Sequence, residues 1–212
     1  VILPKGAGYK QALVFGLGDE KKLDTLAYEN AGGKTFVTLK GIAASSVTVL
    51  FDAPKEGLKE AEAAAAFASG LRLRDYNFDK YKSKNKKDKS GDSKKPDGVK
   101  DITIVAASNT QAAKLYAEYE AIADGVIFAR DLVSEAPNIL YPESYADIVT
   151  KDLKPLGVQV EVLDEKKMAK IGFGAHLAVG MGSIRPPRVV IMRWNGTGKK
   201  TGSKPLAFVG KG

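Results

Sequence analysis

The chain has 212 residues, 44% of them hydrophobic, with no cysteine and a formal net charge of +8. That is enough to bury a real core in one large domain or two small ones, and the missing thiols exclude a disulfide framework, a thiolate metal site and a cysteine nucleophile. No apolar stretch approaches the roughly 18 residues of a membrane span, and the opening "VILPKGAGYK" lacks the apolar core of a secretory signal, so no membrane association is expected and a cytoplasmic location is. The charge is concentrated: Lys80 to Lys100 holds nine Lys and three Asp, 9 − 3 = +6 of the total. This run has no apolar periodicity and no interleaved aromatics within "KSKNKKDKSGDSKKPDG", which is the pattern of a solvated loop; nucleic acid or an acidic partner is the alternative.

In chain order, "QALVFGLG" is a short apolar run ended by glycine, and Asp24 to Lys40 has helical character weakened by Gly32 and Gly33. "SVTVLFD" is a strand of β-branched and aromatic residues. "DAPKEGLKEAEAAAAFASG" is a clearer helix, with Asp52 to cap, Pro54 in the first turn and Gly70 as a stop. "DYNFDKYK" and "DITIVAAS" are expected to be two strands paired across the Lys-rich loop. Leu115, Tyr119, Ile122, Val126, Ala129 and Val133 then fall on one face of a helix of roughly six turns, capped near Ser108 or Asn109 and ended by Pro137.

Beyond "EAPN" the pattern changes. Pro142 opens a helix to about Leu153, "VQVEVL" is a strand and "DEKKMAKIG" a short helix. Three apolar runs follow: "HLAVGM", "RVVIMRW" and "LAFVG". Val189 to Met192 are apolar on both strand faces, as in a strand covered on both sides in a mostly parallel sheet. The domains are therefore expected at 1–137, with the long helix, and 138–212.

Several motifs fail on counting. "GTGKKTG" has Arg193 where a phosphate loop needs its first glycine and Lys200 where it needs Ser or Thr. "GLGDEK" and "GFGAHL" place Lys21 and Leu177 at the third glycine of a dinucleotide fingerprint. The single histidine, His176, has no histidine partner for a zinc motif, and a structural role ahead of an apolar strand is expected for it. Asp164, Glu165 and His176 are the reserve candidates for metal binding. No residue here is assigned as catalytic. The first methionine is Met168, so a chain starting at Val1 is expected to be a processed or incomplete piece of a longer product.

"RDLVSEAPNILYPESYADIV", "GFGAHLAVGMGSIRPPRVVIMRWNG" and "KPLAFVGKG", in that order, resemble the leucyl aminopeptidase (cytosol aminopeptidase) family of dinuclear metallopeptidases; "LRLRDYNFDKYKSK" and "DITIV" are similar to its N-terminal domain. The resemblance implies an α/β protein in which a small N-terminal α/β domain is joined by a long helix to a catalytic α/β domain with a mostly parallel sheet. It implies hydrolysis of the N-terminal residue from peptides with a free N-terminus, two divalent metal ions (Zn²⁺ or Mn²⁺), a homo-hexamer, and DNA binding by the N-terminal domain of some members. Lys211 stands where the family supplies a lysine amine to one metal. The remaining ligands and a second lysine lie downstream of "VGKG" in that family, so the 212 residues alone are expected to be inactive.

Overall fold

The computed structural model describes residues 8–9, 11–42, 44–51, 58–83, 98–196 and 204–211. It divides into two compact units, Val1–Ser134 and Glu135–Gly212. Asp52, Pro54 and the Lys-rich stretch 84–97 lie outside the described residues.

The first unit is a βαβ arrangement flanked by two more helices: α1 (Thr25–Lys40), β1 (Ser46–Leu50), α2 (Glu60–Asp75), β2 (Asp101–Val105) and α3 (Asn109–Ser134). Asp24 starts α1 by accepting the Ala27 N–H at 2.8 Å. β1 and β2 pair in parallel, Ser46 opposite Asp101 through Leu50 opposite Val105. Their alternation turns Val49, Ile102 and Ile104 inward onto Ala31, Phe36, Phe67 and Leu71 of α1 and α2. A second cluster joins Tyr28, Ala63 and Ala66 to Leu23, Phe51 and Tyr119. The alanines of α2 are buried almost all round because α1, α3 and the sheet surround that helix.

Gly70 does not stop α2, which runs five residues further to Asp75. Its absent side chain serves a crossing instead. A Cβ at Gly70 would overlap the Glu29 carbonyl oxygen and lie 2.7 Å from the carbonyl carbon; one at Gly32 would overlap the Phe67 carbonyl oxygen, with its carbon at 3.0 Å. The two glycines let the α1 and α2 backbones touch, and this close packing offsets a helix-propensity cost of about 1 kcal/mol each.

"DYNFDKYK" forms no strand beyond α2; residues 76–79 are irregular and 80–81 form a turn. The partner of β2 is β1, not this segment. Aromatic residues hold it elsewhere: the Tyr76 hydroxyl donates to Asp131 at 2.8 Å, and the Arg130 guanidinium stacks 4.0 Å from the Tyr76 ring.

The long helix α3 forms as expected, but its inward face is set one residue over from the expected stripe. Arg72 of α2 donates to Glu120 at 2.6 Å and to Asp124, and Ala123 is the buried residue between these contacts. Ile122 and Val133 consequently point to solvent at 63% and 86% exposure.

The second unit comprises α4 (Pro142–Leu153), β3 (Gln159–Leu163), α5 (Glu165–Lys170), α6 (Gly174–Gly180) and β4 (Val189–Arg193). Pro142 supplies its fixed φ at the first helical position, and Ser144 Oγ accepts the Tyr141 N–H at 3.0 Å. Gly157 turns the chain into β3 at φ 83°, a conformation that suits glycine. "HLAVGM" falls on helix α6 and its end, so His176 sits within a helix rather than ahead of a strand. β4 pairs antiparallel with β3, Gln159 opposite Arg193 through Leu163 opposite Val189. An antiparallel pair of this kind is common at the edge of an otherwise parallel sheet. Ala146, Val149, Leu163 and Met168 are its buried apolar residues.

Candidate metal centre

Lys211 follows an extended apolar stretch, residues 204–211, that takes part in no strand pairing among the described residues. It is expected at the end of a buried strand; instead Phe208 and Val209 are 90% and 99% exposed, and Lys211 is exposed with them. An apolar run becomes a strand only where a neighbour satisfies its backbone and a layer covers its faces. Gly210 has open space around its Cα, which leaves room for close approach of a ligand.

The reserve candidates do other work. Asp164 caps α5, its carboxylate accepting the Lys167 N–H at 2.8 Å. That hydrogen bond, helped by the charges of Lys167, Arg188 and Lys166, holds the carboxyl below its usual range. Glu165 lies in the first turn of the same helix, where a negative charge suits the helix dipole. His176 is exposed on α6. Among the described residues no three or more His, Asp or Glu side chains are grouped so as to hold a metal ion. The donors present therefore fit a contribution of one amine and do not make a dinuclear centre, which needs carboxylates to bridge and fix two ions.

Sequence reasoning gives no role to the arginines of "SIRPPR", and the structure does. The Arg185 guanidinium stacks 3.7 Å from the Tyr141 ring, while Arg188 donates to Glu143 at 3.3 Å. These contacts tie the segment before β4 to the start of α4. No local signal marks them, because the Arg188 pair spans 45 residues of sequence.

Two profiles of the cytosol aminopeptidase family match: its N-terminal domain over residues 1–85 and its catalytic domain over residues 127–212. The chain belongs to the cytosol aminopeptidase family. The "Probable cytosol aminopeptidase" of Agrobacterium fabrum is 48% identical over 212 residues, all of this chain and 41% of the relative. The protein of the same name from Rhizobium rhizogenes is 43% identical over 214 residues, with the same coverage. The chain thus spans about two fifths of the length of the curated relatives it matches.

Among solved structures, a mutant of tomato leucine aminopeptidase superposes with a TM-score of 0.68 at 24% identity, over 82% of this chain and 34% of that one. The bottromycin maturation enzyme BotP in complex with Mn gives 0.68 at 24% identity, over 85% and 36%. These likenesses establish the shared α/β fold. Among the described residues no helix is long and apolar enough to cross a membrane.

Proposed function

We propose that residues 1–212 belong to a longer polypeptide that is a metal-dependent aminopeptidase, releasing N-terminal residues, with a leucine-type preference, from peptides with a free N-terminus. The observation that carries this reading is the ordered match of both family domains, ending on the "VGKG" motif. In this reading residues 1–137 form the N-terminal domain and long helix, and 138–212 begin the catalytic domain. Two divalent ions, Zn²⁺ or Mn²⁺, supply Lewis acidity and an activated water.

The part of Lys211 is to donate its amine to one ion. An ammonium has no lone pair to give, so the group has to be deprotonated there, and a neighbouring dication favours that form by repelling the ammonium. Gly210 allows the backbone beside it to come close. The complete protein is proposed to be a cytoplasmic homo-hexamer.

Residues 1–212 alone are expected to bind no stoichiometric pair of Zn²⁺ or Mn²⁺ ions and to release no leucine from Leu-p-nitroanilide. A polypeptide extended to the relatives' full length should do both, and Lys211→Ala in it should remove most activity with its circular dichroism unchanged. Metal-dependent hydrolysis by residues 1–212 alone would overturn the placement of the centre, and Asp164, Glu165 and His176 would be the first to re-examine.

A second reading rests on the +6 balance between Lys80 and Lys100: a nucleic-acid-binding role for the N-terminal part. It requires a gel-shift affinity that falls steeply with salt, with a smaller salt slope once the loop lysines are neutralised.

A further inference from the structure

A cavity of about 530 Å³ lies in the first unit, along β2. Ile102 and Ile104 line it from β2, Ala68 and Leu71 from α2, and Ala112 and Ala113 from the start of α3. Nothing in the family motifs involves these residues.

The strand beside this cavity has an open edge. Asp101 N–H donates to the Ser45 carbonyl, and Phe51 N–H to the Val105 carbonyl. With the parallel register of β1 and β2, this turns the backbone groups of Asp101, Thr103 and Val105 toward β1. The N–H and C=O groups of Ile102 and Ile104 face the opposite edge. Among the described residues, β1 is the only strand paired with β2.

An unpaired row of donors and acceptors spaced two residues apart, beside an apolar groove, has the two components of strand addition. The backbone edge takes the ladder, and the groove takes alternate side chains. A compact ligand would fill the groove and leave the edge unsatisfied, whereas an extended chain serves both.

We propose that the β2 edge and its groove are the seat of a further β-strand with alternating apolar residues, supplied by the part of the same polypeptide that lies outside residues 1–212. The Agrobacterium fabrum relative has 100 − 41 = 59% of its length outside the matched region. A strand tethered to its own sheet acts at an effective concentration in the millimolar range, well above that of most free peptides.

Amide hydrogen exchange followed by NMR tests this without reference to activity. In residues 1–212, Ile102 and Ile104 amides should exchange fast while those of Thr103 and Val105, which face β1, are protected. In a polypeptide extended to the relatives' length, Ile102 and Ile104 should slow by at least about tenfold. Ala113→Trp, a change at an exposed position that fills the groove, should abolish that added protection and leave Thr103 and Val105 as they were. Fast exchange at Ile102 and Ile104 in the extended polypeptide overturns the proposal. So does protection already complete in residues 1–212, which would place the occupant within the chain. Unchanged protection in the Ala113→Trp variant would show that the groove is not the seat.

Discussion

The two units bury their apolar residues very differently. In the first, α1 and α2 touch backbone to backbone through Gly32 and Gly70, and α2 is enclosed by α1, α3 and the sheet. In the second, four apolar side chains are buried among the described residues, while Ile184, Phe208 and Val209 are almost fully exposed. Both have comparable elements and sound helix caps. Local signals build helices and strands in either unit, but only enclosure by several layers makes a core, because burial of apolar area is the dominant favourable term.

The largest expected effect is a difference in cooperativity between the two units. Isolated Val1–Ser134 should unfold in urea in a single cooperative transition, whereas isolated Glu135–Gly212 should show a broad change and bind the dye ANS. A sharp transition in the second fragment would break the comparison. Extending that fragment to the relatives' C-terminus should restore cooperativity.

Next comes the helix crossing. Gly70→Ala introduces a Cβ that overlaps the Glu29 carbonyl. Overpacking against backbone should destabilise the first unit by about 2–3 kcal/mol, even after the gain in helix propensity. A methyl group added at Gly125 of α3 would meet nothing within 4 Å, so Gly125→Ala should stabilise by about 0.5–1 kcal/mol. Urea midpoints shifting in the same direction for both variants would refute the close crossing. Smaller still is the link between α2 and α3: Arg72 and its partners are partly exposed, and a double-mutant cycle of Arg72→Met with Glu120→Gln should give about 0.5 kcal/mol, less in high salt.

How much of this is legible in the sequence depends on the reach of each signal. The Asp24 and Asp164 caps, Pro142 at the start of α4, and the strands β1 and β3 announce themselves within a few residues. Gly70 resembles a helix stop because its true reason, the Glu29 backbone, is 41 positions away in sequence, 70 − 29. The pairing of β2 is hidden for a similar cause: a strand's composition does not name its partner. The apolar stripe of α3 drifts from the buried face because Arg72 fixes Glu120 and Asp124 toward α2. Lys211 stands out by motif, and its neighbours in space cannot be read from the residues that precede it.

The smallest effect is local and lies in the less enclosed unit. The Asp164 carboxyl accepts the Lys167 N–H at the start of α5, which favours its ionised form and lowers its pKa below the ordinary 3.8. A depressed folded-state pKa means that the ionised cap contributes its full stability above the unfolded-state value. That contribution is lost as pH falls through the lower, folded value. The Lys167 amide reports the event directly, since its chemical shift follows the charge of its acceptor. In residues 1–212, its titration midpoint should fall below 3.8, with α5 fraying only at more acid pH. Asp164→Asn keeps an acceptor for the cap and removes the charge, so the Lys167 shift should then be flat across this range. A midpoint at or above 3.8 in the unaltered chain would mean that the cap is not formed in solution, and that even the best-marked local structure of the second unit depends on the layers that complete it.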